Sequence, residues 1–224
     1  MEEFRGRKVR VERVEVGGAA LELLVPADSD ALLDEAGVVA RFVEDEYLPY
    51  WATLWPAAMM LAEVVGAWPV PTGQPPVVLE LGCGVGLAGL VAERRGYDVI
   101  LSDYDEDALA FAKENARRNG IIVRTQRVDW REAHAGLRPD RIIAADVLYE
   151  PRNLEPVARF IARQLAPGGV ALVSDPNRGT AEAFADVARA SGLDVTVASI
   201  ALGCCGAGSV PRGRSFTLRR RSAC

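Results

Sequence analysis

The stretch Leu79-Glu80-Leu81-Gly82-Cys83-Gly84-Val85-Gly86-Leu87-Ala88-Gly89 constrains the fold of this 224-residue chain more than any other. An apolar run carries an acid, glycine then recurs at every second position, and an apolar run of helical character follows. That order reads as strand, tight turn and helix, the opening unit of a parallel βαβ sheet with a ligand at the turn. Gly82, Gly84 and Gly86 permit positive φ and let a ligand approach the backbone without meeting a Cβ. The helix N-terminus beyond them presents unpaired N–H groups and a partial positive charge.

The glycines alone leave the ligand open. Gly84-x-Gly86-x-x-Gly89 satisfies the dinucleotide fingerprint, and Asp103 falls near the spacing of a ribose-binding acid. Glu80 points elsewhere, because a carboxylate facing the turn repels a pyrophosphate but suits the amino and sulfonium side of S-adenosylmethionine.

The surrounding pattern extends the unit into a sheet. Val9 to Val16 and Ala20 to Val25 flank Gly17-Gly18 and predict a β-hairpin. Asp28-Ser29-Asp30 reads as the cap of a short helix, Ala31 to Ala36, stopped by Gly37. Pro56 suits the first turn of a helix reaching about Val65, and the proline-rich 68–76 segment is a linker. Helices are predicted over Leu87 to Arg95, Asp105 to Arg118, Leu154 to Leu165 and Thr180 to Ser191. Strands are predicted over Asp98 to Asp103, Ile121 to Val128, Arg141 to Tyr149, Val170 to Ser174, Leu193 to Ala198 and Ser215 to Arg219. The expected fold is α/β: a doubly wound, Rossmann-like, seven-stranded and mostly parallel sheet with an N-terminal β-hairpin and helical extension. Residues 1–75 form the expected N-terminal part, packed on a ligand-binding domain of residues 76–224.

Composition removes several function classes. The net charge of −5 disfavours nucleic acid as a partner. No signal-peptide core or membrane-length apolar run occurs, so a cytoplasmic protein without a membrane partner is expected. Cys83, the vicinal Cys204-Cys205 and Cys224 form no CxxC, and His134 is the single histidine, so no metal site is expected. The Cys204-Cys205-Gly206-Ala207-Gly208 stretch reads as a flexible connection, and a monomer is expected.

In a sheet of this kind the carboxyl ends of the strands share one crevice. Here those ends carry Glu80 with the glycines, Asp103, Asp129-Trp130, and Ala145-Asp146 through Tyr149. One such acid often merely caps the next helix; four strand ends bearing acids suggest a binding function. Asp103 is placed to accept from ribose hydroxyls and Asp129 from an adenine amino group, with Trp130 flanking the base. Asp146 and Tyr149 lie nearest the reacting carbon. Tyr47 to Trp55 holds two tyrosines and two tryptophans, read either as a core helix with an aromatic lead-in or as an aromatic lid over a cationic ligand.

These motifs resemble the class I, seven-stranded S-adenosylmethionine-dependent methyltransferases. More narrowly they are similar to the protein lysine methyltransferase family that includes the enzyme for the electron transfer flavoprotein β-subunit. The matching pieces are Pro49-Tyr50-Trp51-Ala52 with Leu54-Trp55-Pro56, the glycine loop, Leu101-Ser102-Asp103, and Asp146-Val147-Leu148-Tyr149 for a D-x-x-Y motif. Ser174-Asp175-Pro176-Asn177-Arg178 is similar to the family's G-D-P-G-R, with Asn177 in place of its glycine. The resemblance implies that Glu80, Gly82, Cys83 and Gly84 line the methionine end of the cofactor, with Asp103 and Tyr104 at the ribose. It further implies that Asp129 and Trp130 hold the adenine, that Trp55 covers the cofactor, and that Ala145, Asp146 and Tyr149 border the methyl group and an incoming amine. The implied reaction is N-methylation with S-adenosyl-L-homocysteine as product, on a protein lysine or, alternatively, on a small amine or nicotinamide-like molecule. A NAD-type oxidoreductase is disfavoured by Glu80 and gives Asp129-Trp130 no role; a non-catalytic module has no use for the strand-end acids.

Overall fold

A computed structural model describes residues 2–132, 134–202 and 211–221. The Cys204-Cys205 stretch and Cys224 lie outside them. Two sheets are formed. The first joins β1 (Glu3–Phe4), β2 (Arg7–Val16) and β3 (Ala19–Pro26), with β2 and β3 antiparallel around Gly17-Gly18. The hairpin is therefore as expected, with a short third strand added at its edge.

After the hairpin the chain departs from expectation. Asp28 Oδ1 does accept the N–H groups of Asp30 and Ala31. The turn it starts, however, is a 3-10 segment, Asp30–Asp34, and a separate helix, α1 (Ala36–Asp45), follows with Gly37 inside its first turn. A first-turn glycine keeps an N–H that would be unpaired in any case, so it does not end the helix. α2 (Pro56–Gly66) begins at its proline as expected.

The second sheet contains β4 (Val77–Leu81), β5 (Asp98–Asp103), β6 (Arg124–Arg127), β7 (Arg141–Ala145), β8 (Val170–Asp175), β9 (Leu193–Ala201) and β10 (Arg212–Arg220). Its order is β6-β5-β4-β7-β8-β10-β9, with β10 antiparallel to both neighbours. The remaining helices are α3 (Leu87–Arg94), α4 (Glu106–Arg118), α5 (Pro151–Gln164) and α6 (Phe184–Ala190). β6 and β7 are shorter than the apolar runs predicted, because Ile121 and Val147 bury their side chains from the flanking connections without joining the ladder.

Strand periodicity sorts the central side chains onto two cores. Val78, Val99, Leu101, Ile143 and Leu172 pack with α2, α3 and α4. Leu79, Leu81, Ile100, Ile142 and Val173 pack with α5 and α6 on the other face. The same alternation sends Glu80 towards α3. Asn115 of α4 fastens the hairpin to this frame: its Oδ1 accepts from Leu24 N at 2.6 Å, while its Nδ2 donates to Leu24 O and to Val85 O in the glycine loop.

Candidate active site

Beyond the carboxyl ends of β4, β5 and β7 opens a cleft, the place where sheets of this topology hold their ligands. Glu80, Gly82, Cys83, Gly84, Asp103 and Tyr104 line one end, and Trp55, Ala145, Asp146 and Tyr149 the other. Trp130 lines it too; Tyr104, Trp130 and Tyr149 also line an adjoining cleft, and of the expected residues only Asp129 faces that one alone.

Glu80 is 2% exposed, and its Oε2 accepts the Gly89 N–H at 2.9 Å. A Cβ at Gly89 would stand 2.6 Å from that oxygen and 2.2 Å from Leu101, so this third glycine exists for close strand–helix contact. Burial pushes the Glu80 pKa up to about 8, against the opposing Gly89 hydrogen bond. The carboxylate thus fills, from inside the protein, the positive helix end where a pyrophosphate would otherwise bind. That geometry speaks against a dinucleotide, and a cation brought to the cleft favours the ionised form of Glu80.

Asp103 is also almost fully buried. Its Oδ2 accepts from Gly84 N and its Oδ1 from Asp105 N, each at 3.0 Å, so it pins the glycine loop to the start of the next helix. Burial pushes its pKa up to about 6. Each oxygen retains acceptor capacity for a hydroxyl in the cleft. At Gly84 (φ +52°) a Cβ would come 3.3 Å from the Trp51 carbonyl. At Gly82 (φ +66°) it would come 3.3 Å from the Trp130 ring. The loop can approach its aromatic walls this closely because it has no side chains there. Cys83 is buried, its thiol pushed well above the ordinary pKa by burial, which suits an inert wall rather than a nucleophile.

Trp130 Nε1 is buried without a hydrogen-bond partner, an unused donor beside the cleft. Asp129 is engaged: both its oxygens hold Arg131 at 2.7–3.0 Å. Burial raises its pKa, but the Arg131 hydrogen bonds outweigh that and hold it below the usual carboxylate value. An adenine amino group reaching Asp129 therefore shares it with Arg131.

The other end is an aromatic corner. The Tyr50 and Tyr149 rings meet at 5.0 Å and those of Tyr50 and Trp55 at 6.1 Å, while Trp55 Nε1 donates to Tyr50 O. Burial pushes the Tyr149 hydroxyl up to about 12, so it stays protonated as a donor. Asp146 has φ +55°, an uncommon conformation for a non-glycine residue and one that concentrates at functional sites. Its carboxylate accepts Arg178 Nε at 2.6 Å and Nη2 at 2.8 Å, and the guanidinium lies 5.8 Å from the Trp55 ring centre. Both Asp146 oxygens are therefore engaged by Arg178, which fixes the orientation of the side chain.

Several of these residues escape sequence reasoning. Arg178 sits in a quoted motif, but nothing in the order of residues pairs it with Asp146. Tyr47 donates to Asp105 at 2.5 Å and accepts from Trp51 Nε1, and Arg41 donates to the same Asp105. Trp51 is buried against Phe111, so the core reading of the aromatic segment holds for Trp51, while Trp55 lines the cleft. Among the described residues no group of three metal-ligating side chains occurs, and no helix is long and apolar enough to cross a membrane.

Residues 41–185 match the family described as lysine methyltransferase. Over 126 residues the chain is 31% identical to the histone-arginine methyltransferase METTL23 of Xenopus laevis, covering 52% of this chain and 53% of that one. A ribosomal protein L11 methyltransferase of Thermotoga neapolitana is 34% identical over 85 residues, 37% of this chain and 31% of that one. The chain thus spans about half the length, or less, of these relatives. A TehB-like SAM-dependent methyltransferase from Corynebacterium glutamicum shares the fold at TM-score 0.53 and 20% identity, over 85% of this chain and all of that one. A Pyrococcus abyssi tRNA (uracil-54, C5)-methyltransferase in complex with S-adenosyl-L-homocysteine does so at TM-score 0.58 and 18% identity, over 97% of this chain and 45% of that one.

Proposed function

Because the chain belongs to the lysine methyltransferase family, whose members are S-adenosylmethionine-dependent enzymes, we propose that it methylates a lysine side chain of a protein substrate. The observation that carries the cofactor half is Glu80, whose carboxylate closes the helix end to pyrophosphate and faces the cleft. Glu80 holds the amino group at the methionine end, and Asp103 accepts from the ribose hydroxyls with Tyr104 alongside. Gly82, Cys83 and Gly84 form the floor, Trp130 flanks the adenine with Asp129 at its edge, and Trp55 covers the sulfonium.

When bound, S-adenosylmethionine supplies a methyl group already activated by positive charge. The protein's contribution is then positioning. A lysine ammonium has an ordinary pKa near ~10.4 and is no nucleophile until it loses a proton. The ammonium is disfavoured beside the sulfonium charge, so the proton leaves to solvent through the open side of the cleft. Asp146, held by Arg178, and Ala145 border the amine and aim it at the methyl carbon, while the Tyr149 hydroxyl donates nearby. In this reading the enzyme acts as a cytoplasmic monomer.

The test is incubation of the pure protein with methyl-labelled S-adenosylmethionine and a lysate, followed by gel separation and amino-acid analysis. Label in methyl-lysine on a protein band is expected. The chain has only Lys8 and Lys113 as lysines, so self-labelling is readily recognised. Label confined to small molecules, or to methyl-arginine, would overturn the lysine reading.

A further inference from the structure

We infer that α1 is the docking surface for the protein acceptor, and that it takes a basic segment carrying apolar side chains next to the target residue. The inference rests on the protein-acceptor reading and adds the site and chemistry of recognition.

α1 sits on the body by one edge. Val38 is its only buried residue, and Arg41 anchors it by donating to Asp105 and lying over the Tyr47 ring. The remainder of its apolar stripe faces solvent: Val39 is 50%, Phe42 48% and Val43 83% exposed, with Leu33 beside them at 44%. Spacing of three and four residues places Val39, Phe42 and Val43 on one continuous face. A short helix that buries one apolar side chain and exposes three is built for contact with something else.

Charge identifies the occupant. Residues 28–46 carry seven acids, of which Glu35, Asp45 and Glu46 pair with Arg7, Arg131 and Arg152 from outside the segment, while its own Arg41 pairs with Asp105; Asp28, Asp30, Asp34 and Glu44 have no salt-bridge partner among the described residues. The segment thus presents four acids to solvent with no cation set against them. A second copy of the chain would set these acids against each other, so self-association through this face is disfavoured, whereas a basic partner is attracted and steered. Position agrees with charge. α1 ends at Asp45, which with Glu46, Tyr149 and Glu150 lines the cleft adjoining the aromatic corner, where Arg131 and Arg152 pair with Asp45 and Glu46 and Glu150 also engages Arg152. A chain laid along α1 therefore delivers its next residues to Tyr149.

Two probes test this. A fluorescent peptide of lysine and leucine at helical spacing is titrated against the protein, with glutamate–leucine and lysine–serine peptides of the same length as controls. The lysine–leucine peptide is expected to bind best, to weaken with salt, and to bind at least about tenfold more weakly to the variant Val39→Ser/Phe42→Ser/Val43→Ser. S-adenosylhomocysteine affinity and melting temperature of that variant should match the wild type, since none of the three side chains reaches the cofactor cleft. On a protein band labelled by the wild type, the variant should raise KM and leave kcat in place. Equal peptide binding by variant and wild type, preference for the glutamate peptide, or a wild-type dimer that the variant abolishes would each overturn the docking proposal. If the lysate label falls only on small molecules, the acceptor reading fails instead; a protein band labelled with unchanged KM refutes docking while leaving that reading intact.

Discussion

The two ends of the cleft are built by different means. At the cofactor end, Glu80 and Asp103 are held by backbone N–H groups of Gly89, Gly84 and Asp105, all supplied by the same βαβα unit. At the acceptor end, Asp146 is held by a side chain, Arg178, from the loop after β8, and the aromatic rings arrive from the segment before α2 and the one after β7. The first arrangement is fixed as soon as the central strands pair. The second depends on long side chains from separate loops meeting in space, and its outer wall, α1, touches the body at few points. On the proposed function, the common reagent is gripped by the rigid frame and the variable acceptor by adjustable loops.

If the two ends are separable, variants should split accordingly. The largest effect is expected from Asp146→Ala: turnover falls by about 10²-fold because the amine loses its orienting group. Single-turnover transfer to the labelled protein band measures this, and Arg178→Lys should fall between wild type and Asp146→Ala. Next comes Gly89→Ala. Its new methyl group overlaps Leu101 and the Glu80 carboxylate, so stability should drop by about 1–3 kcal/mol in a denaturant melt, with cofactor affinity lost alongside.

The smallest effect is a pH dependence confined to the cofactor end. The Glu80 carboxyl is raised from 4.5 to about 8 in the folded protein, and Asp103 from 3.8 to about 6. Between those values the folded state binds more protons than the unfolded one, so the free protein loses stability as pH rises through that window. The cofactor's cationic end selects ionised Glu80. Its affinity should therefore rise with pH towards 8 by up to about tenfold per unit, with proton release detectable by calorimetry in buffers of different ionisation heat. A flat profile would remove Glu80 from direct contact.

The contrast between the ends also explains what the sequence disclosed. The glycine loop, Glu80 and Asp103 lie close along the chain, and their spacing alone places them at one turn, so that end was legible before any coordinates. The order of the sheet strands was not, because pairing between β8, β10 and β9 is set by packing rather than by local pattern. Gly37 illustrates a local misreading: glycine stops a helix only where it can leave it, and at the first turn it does not. Arg178, Arg131 and Arg41 were silent, since a surface-seeking residue type reveals its partner only in three dimensions. Asp129 shows the same limit from the other side: its place at a strand end was readable, but its engagement by Arg131 was not.

The most direct test of the two-ended account is calorimetric titration of S-adenosylhomocysteine into wild type, Asp103→Ala and Asp146→Ala. Asp103→Ala should lose about 10²-fold in affinity, the worth of its charged hydrogen bonds, while Asp146→Ala stays within about threefold of wild type. Comparable losses in both variants, or none in Asp103→Ala, would contradict the division of the cleft into a fixed cofactor end and a separate acceptor end.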